Sequence, residues 1–312
     1  MRRRSLLALP FLAMPAVAQP RTIRVIVPFG AGGIIDVASR LLAEPMGSEL
    51  GQTLLVENQP GAGATIGARN AARAAPDGQT LLVSGAAHAV MPALYNDAPD
   101  PARDFTPLTL IAQQPFLLAV HPSNPARSLP AFLAWLREKR DRATFGTTGI
   151  GAASHLAGEL LKKLAGVDFT VVPYRGTPQA VTDLTAGRLD FMIDSQTLLA
   201  PLARGGQVVG LAVTTPTRSV MLPELPSIAE AVPGFDSSSW QGMYAPAGLP
   251  APLAARLVAA AEAALARPEL QRRMAESGLQ PMPTGPEALS RFLAAETARW
   301  VPILQATGAR GG

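Results

Sequence analysis

The sequence predicts an α/β protein built around mostly parallel sheets. Short apolar runs rich in β-branched residues alternate with helical patterns, and this alternation occurs twice along the chain. Strands that alternate with helices are typical of βαβ units. The length of 312 residues also exceeds the size of an average domain, about 100–200 residues. We therefore expect two α/β lobes, with one larger α/β unit as the alternative.

The first half carries three predicted strands separated by loops and helices. The strands are 23–27, 54–56 and 80–83, and the helices are 35–50 and 64–75. A turn at 76–78 precedes the third strand because Pro, Asp and Gly are turn-forming residues.

The second half repeats the alternation and then ends in helices. Predicted strands are 116–120, 144–145, 169–172, 189–193, 208–213 and 240–245. Predicted helices are 129–140, 153–164, 178–186, 251–265, 269–278 and 287–304. If the chain crosses between lobes twice, lobe 1 is discontinuous, with residues 19–120 and 241–312, and lobe 2 comprises residues 121–240.

The N-terminus has the pattern of a cleaved signal peptide at residues 1–18. Arg2, Arg3 and Arg4 precede a short apolar run, and Ala16-Val17-Ala18 is an A-x-A cleavage motif. Cleavage near Ala18 predicts a periplasmic protein and leaves export by the Sec or the twin-arginine route open. Removing the three arginines lowers the formal net charge from +4 to near neutrality, which argues against nucleic-acid binding.

The residues that usually carry catalysis or bind metals are sparse. There are no cysteines, which excludes disulfides and thiolate sites. His88, His121 and His155 are far apart in sequence and form no H-E-x-x-H motif, and a G-x-S-x-G elbow is also missing. The sequence therefore predicts no metal, no cofactor and no enzymatic activity.

Three glycine-rich loops are candidates for binding. Residues 28–36 and 146–155 each follow a strand and open a helix. Glycines allow close backbone approach, and helix N-termini favour anions. The loop at 61–67 resembles a dinucleotide-binding fingerprint only loosely, because its spacing is G-x-G-x-x-x-G and Asp77 comes too early for the ribose. If both lobes direct a helix N-terminus into one cleft, a ligand with negative charge at both ends is expected.

A set of motifs then indicates a family. They are 25–40 (VIVPFGAGGIIDVASR), 51–67 (GQTLLVENQPGAGATIG), 76–82 (PDGQTLL), 145–155 (FGTTGIGAASH), 172–176 (VPYRG), 222–235 (LPELPSIAEAVPGF) and 241–250 (QGMYAPAGLP). In this order the chain resembles the Bug/TctC family of extracytoplasmic solute receptors, the binding components of tripartite tricarboxylate transporters. Two positions depart from the family pattern, Ile35 and Gln79. Ile35 would make that part of the ligand wall more apolar.

The resemblance implies a two-lobed periplasmic binding protein fold of type II, the Venus flytrap, with the ligand cleft between the lobes. It implies a monomeric receptor that delivers a small carboxylate (a di- or tricarboxylate, an amino-dicarboxylate or an aromatic acid) to the membrane permease subunits. An exported hydrolase or a sensory partner on the same fold is the alternative. The ligand-binding residues that it implies are Phe29, Gly32, Gly33, Ile35, Asp36, Thr147, Thr148, Gly151, Ser154, His155, Tyr174, Arg175 and Asp194.

Overall fold

A computed structural model describes residues 22–219 and 221–310. The predicted signal peptide, residues 1–18, and its cleavage site lie outside these residues. The described chain forms strands and helices that alternate as the sequence patterns predict, and the strands join into two sheets that share one long strand.

The first sheet contains six strands in the order β2-β1-β3-β9-β4-β10. The strands are β1 (Thr22–Val27), β2 (Thr53–Asn58), β3 (Thr80–Ser84), β4 (Phe105–Val120), β9 (Ser238–Pro246) and β10 (Gln280–Pro281). β1, β2 and β3 are parallel to one another, whereas β9 runs antiparallel to β3 and β4. The carboxyl ends of β1 and β3 therefore lie at the same edge of the sheet.

The second sheet is organised around the far end of β4, in the order β8-β4-β7-β5-β6. Its own strands are β5 (Thr144–Thr147), β6 (Thr170–Pro173), β7 (Phe191–Ser195) and β8 (Val209–Val213). β5, β6 and β7 are parallel, and β4 is antiparallel to β7 and β8.

β4 connects the two sheets. Up to Pro115 it pairs with β9, where Pro115 lies opposite Ser238, and from Phe116 it pairs with β7. The chain returns from the second sheet to the first beside this point. The backbone N–H of Ser237 still donates to the carbonyl oxygen of Thr214 in lobe 2, and β9 begins at the next residue. The strands thus change sheets at 115–116 and 237–238.

Ten α-helices cover the sheets in the described chain. They are α1 (Ile34–Leu50), α2 (Thr65–Ala72), α3 (Ala86–Leu94), α4 (Leu129–Lys139), α5 (Ala153–Ala165), α6 (Thr177–Thr185), α7 (Gln196–Arg204), α8 (Ala251–Leu265), α9 (Pro268–Glu276) and α10 (Gly285–Thr307). α1 shows how they pack: Ala38, Leu42 and Met46 are fully or almost fully buried, and the helix ends at Gly51, which takes the left-handed conformation. Within residues 22–219 and 221–310, the helices are too short or too polar to span a lipid bilayer.

Candidate ligand-binding cleft between the lobes

A small cavity of about 40 Å³ lies between the two lobes. Phe29, Gly30, Gly33, Ile34, Ile35, Ala86, Ala87 and Ser239 line it from the first sheet and its helices. Phe116, Thr148, Ala152, Ala153, Ser154, Gly176, Thr177 and Asp194 line it from the side of the second sheet. A water molecule needs about 10–15 Å³ of such space, so the cavity has room for only a few waters.

Four helices begin at this cavity, two from each lobe. The first residues of α1, α3, α5 and α6 are among its lining. Their N-cap residues are Gly33, Gly85, Ala152 and Gly176, which have no side-chain acceptor for the first free N–H groups. Among the described residues, the lining contains no Lys, Arg or His. In the described wall, the groups that can attract an anion are therefore backbone N–H groups and helix dipoles.

Asp36, in the first turn of α1, does not line the cavity. Its carboxylate accepts hydrogen bonds from Gly32 N (2.9 Å), Arg40 Nε (3.0 Å) and Asn58 Nδ2 (3.0 Å), and Asn58 also donates to the Phe29 carbonyl. Burial alone would raise the pKa of Asp36, but these hydrogen bonds outweigh it and lower the pKa. Gly32 has φ +79°, a left-handed conformation suited to glycine. Asp36 and Gly32 thus fix the shape of the loop that presents Phe29 and Gly33.

Ser154 organises the third glycine-rich loop. Its Oγ lies 2.8 Å from Thr147 Oγ1 and 3.1 Å from Thr148 Oγ1, and it accepts a hydrogen bond from Thr148 N. Ser154 and Thr148 reach the cavity, whereas Thr147 is fully buried behind them. The two hydroxyl groups in the wall are therefore oriented by a network of hydrogen bonds.

His155 lies behind the same loop and not in the cavity wall. Its Nδ1 accepts a hydrogen bond from Gly151 N, and its Nε2 lies 3.5 Å from Glu159 Oε1. Burial, together with the charge of Lys162, lowers the pKa of His155 to about 4. The imidazole is therefore neutral at physiological pH, and both of its nitrogens face protein groups. Gly151 contributes through its positive φ of 87°, which shapes the turn into α5.

The remaining predicted residues on the β6–α6 loop lie beside the cavity. The Tyr174 hydroxyl donates to Asp183 Oδ2 at 2.7 Å, and burial followed by this bond raises the pKa of Tyr174 to about 12. Arg175 contributes its backbone, because its carbonyl oxygen lies 3.0 Å from the position that a β-carbon on Gly30 would occupy. This close contact between loops of opposite lobes shows that the cleft is closed.

Other contacts across the cleft agree with a closed state. Tyr95 Oη donates to the Ile150 carbonyl at 3.4 Å, and a β-carbon on Gly151 would lie 2.8 Å from a methyl carbon of Leu94. Both contacts join α3 and its C-terminal end to the loop before α5.

Asp194 is the one predicted acidic residue that lines the cavity. It stands near the end of β7 and is only 3% exposed. Ser195 N donates to its Oδ1 at 2.7 Å, and Thr177 Oγ1 lies 3.5 Å from each carboxylate oxygen. Burial raises the pKa of Asp194 to about 6, and the two hydrogen-bond donors offset only part of this effect.

Several lining residues were not predicted from the sequence. They are Gly30, Ile34, Ala86, Ala87, Phe116, Ala152, Ala153, Gly176, Thr177 and Ser239. The junctions at Gly85 and Gly176 carry the same signal as the first loop, namely a strand, a glycine and a helix start. This signal in the sequence therefore indicates that the starts of α3 and α6 also line the cavity.

Two α/β lobes joined by a shared strand and closed over a cleft of helix N-termini form the architecture of a periplasmic binding protein. The family model described as "Tripartite tricarboxylate transporter family receptor", TctC, matches residues 38–309. The chain belongs to this family, as the sequence motifs predicted.

Solved structures of related proteins agree with this assignment. The periplasmic binding protein BugD is 35% identical with a TM-score of 0.87, and the match covers 93% of this chain and 98% of BugD. MatC from Rhodopseudomonas palustris, solved with bound malate, is 34% identical with a TM-score of 0.85 and covers 93% and 100% of the two chains. An R. palustris protein solved with adipate is 33% identical with a TM-score of 0.88, covering 93% and 98%. These relatives are binding proteins, and they confirm the predicted fold and the predicted family of solute receptors.

Proposed function

We propose that this protein is a periplasmic receptor that captures a small organic carboxylate between its lobes and delivers it to the permease subunits of a tripartite tricarboxylate transporter. The observation that carries this proposal is the convergence of four helix N-termini, two from each lobe, on one cavity whose described lining has no cationic side chain. Relatives of similar sequence and fold were solved with malate and with adipate, and both ligands are dicarboxylates.

Main-chain donors are strong enough for this role. A hydrogen bond to a charged group contributes about 1.5–3 kcal/mol, and micromolar affinity needs about −8 kcal/mol. Four to six N–H and hydroxyl donors, such as those of Thr148 and Ser154, therefore suffice after the cost of ordering and closing the lobes.

The ligand-binding residues divide into two groups. Those that we propose to contact the ligand are Phe29, Gly33, Ile35, Thr148, Ser154 and Asp194. Those that we propose to shape the loops behind them are Gly32, Asp36, Thr147, Gly151, His155, Tyr174 and Arg175. Ligand entry requires a hinge opening of the lobes, because the loops of opposite lobes meet beside the cavity at Gly30 and Arg175.

The hydrolase alternative finds little support in the geometry. An activated serine needs an adjacent base, but Ser154 Oγ bonds to Thr147 and Thr148, and His155 directs both nitrogens to Gly151 and Glu159. The proposal therefore includes a ligand that leaves chemically unchanged, a monomeric state, and export with cleavage after Ala18.

A thermal-shift screen of the chain from Gln19 tests the proposal, with carboxylates as candidates and neutral sugars as controls. A ligand that binds only the native state at a hundred times its Kd stabilises it by about 2.7 kcal/mol, so a clear rise in Tm is expected with one or a few acids. Mass spectrometry of the recovered ligand should show an unaltered molecule. A folded, ligand-free protein that no acid stabilises, or an acid recovered as a hydrolysis product, would contradict the proposal.

A further inference from the structure

The cavity contains one titratable side chain, and it has the same charge sign as the proposed ligand. Among the described residues of its wall, Asp194 alone can carry a charge, and it is 3% exposed. A carboxylate in a receptor for carboxylates repels its ligand unless a donor separates the two negative charges. Its presence at this place therefore constrains which acids can bind.

The hydrogen bonds of Asp194 are incomplete. Oδ1 accepts a short hydrogen bond from Ser195 N (2.7 Å), whereas the only hydrogen-bond donor to Oδ2 within residues 22–219 and 221–310 is Thr177 Oγ1, at 3.5 Å. The described chain places no Lys, Arg or His within salt-bridge distance of this carboxylate. An ionised carboxylate accepts hydrogen bonds at both oxygens, so Oδ2 retains capacity for a donor that the closed protein does not supply.

We propose that Asp194 determines specificity by accepting a hydrogen bond from the ligand, so that the receptor selects acids carrying a hydroxyl or ammonium donor over plain alkanedioates. This inference rests on the proposed function and adds the chemical class of the ligand. The helix N-termini bind the carboxylates of the ligand, and its hydroxyl or ammonium group faces Asp194. A plain diacid of the same length leaves Asp194 without a donor from the ligand and places a methylene group against it, which is costly in a closed cleft.

Matched ligand pairs test this directly by isothermal titration calorimetry at pH 8. Malate and 2-hydroxyglutarate present a donor, succinate and glutarate lack it, and fluorosuccinate replaces the malate hydroxyl by a fluorine of similar size that cannot donate. Aspartate and glutamate present an ammonium group instead. We expect donor-bearing acids to bind about ten- to a hundredfold more tightly than their plain counterparts, the range of one charge-assisted hydrogen bond. Fluorosuccinate should behave like succinate.

The variant Asp194→Asn provides a second test in the same calorimetric assay, because asparagine has a shape similar to that of aspartate and no charge. It should reduce the preference for donor-bearing acids at least fivefold, while the control Asp141→Asn removes one exposed carboxylate outside the cavity and should leave the preference unchanged.

The possible failures are distinct. If no acid of the panel or of a wider carboxylate screen binds, the proposed function fails. If plain diacids or fluorosuccinate bind as tightly as malate to the wild-type protein, this inference fails while the receptor function stands, and that result does not depend on the folding of any variant. A preference that survives in folded Asp194→Asn would likewise overturn the role of this residue.

Discussion

Gly30 is the residue whose replacement tests closure of the cleft most directly. A β-carbon built on it would lie 3.0 Å from the Arg175 carbonyl oxygen and 3.5 Å from Gly176 Cα, both on the opposite lobe. Gly30 is not among the glycines with positive φ, so other residues fit its backbone conformation. Gly30→Ala requires a shift of a few tenths of an ångström, whereas the methyl groups of Gly30→Val extend about 1.5 Å further towards the other lobe.

The cost falls on the closed state because the contact joins the two lobes. Overpacking a tight contact costs about 1–3 kcal/mol, which corresponds to a five- to 150-fold change in an equilibrium. Since the ligand binds the closed form, Gly30→Val should weaken affinity by about that factor, and Gly30→Ala by less.

Calorimetric titration of the tightest acid against the wild-type protein and both variants measures this effect. The melting temperature of the empty proteins should change little. Gly205→Ala is the control, because Gly205 has φ −80° at the end of α7, outside the cavity. Wild-type affinity in a folded Gly30→Val protein would refute the assignment of this contact to the closed, ligand-binding state.

Three further predictions concern stability and the first loop. The folded pKa of Asp194, about 6, lies above its ordinary value of 3.8, so this group stabilises the fold below pH 4 and loses that contribution as the pH rises through 6. Asp194→Asn should therefore stabilise the empty protein at pH 8 by up to about 3 kcal/mol and much less at pH 4; equal urea midpoint shifts at both pH values would contradict this. Burial lowers the pKa of His88 to about 3, so the wild-type protein should lose stability as the pH falls below 6.5, and His88→Leu should reduce this loss in acid unfolding curves. Gly33→Val should abolish ligand binding, because Gly33 lines the cavity and its β-carbon would lie 3.4 Å from the Gly30 carbonyl oxygen and 4.0 Å from Thr177 Oγ1. Unchanged affinity in calorimetry would show that the first loop does not contact the ligand.

Periodic patterns were sufficient to predict most elements. Helix 251–265 agrees with α8 at both ends, and helix 153–164 agrees with α5 to one residue. These helices have one polar and one apolar face, which gives the 3.6-residue period on which the prediction depends. α3 was missed because its residues from Ala86 to Met91 are all buried, so it has no polar face in that part.

Prolines are the reason why two other elements were not fully predicted from the sequence. Pro107 and Pro115 lie within β4, and a proline usually argues against a central strand, so only residues 116–120 were predicted. Pro201 lies inside α7, which was not predicted.

The candidate site was only partly predictable. The motif at 172–176 ends at Gly176, one residue before Thr177, whose hydroxyl lies beside Asp194. Asp36 and His155 stand in motifs next to the cavity, but their contacts direct them away from it. Sequence motifs identify loops, and the direction of each side chain depends on partners such as Arg40 that are set by the packing of the helix.

The two crossings between the lobes lie opposite each other, with Pro115 paired to Ser238. The second lobe is therefore inserted into the first lobe, and the chain enters and leaves it at the same place. A reporter domain, a shortened linker or the corresponding lobe of a relative can be joined at this point without spanning a gap. Exchange of lobes between receptors of different ligands is thus a practical route to sensors, because each chimaera would combine two helix N-termini from one parent with two from the other.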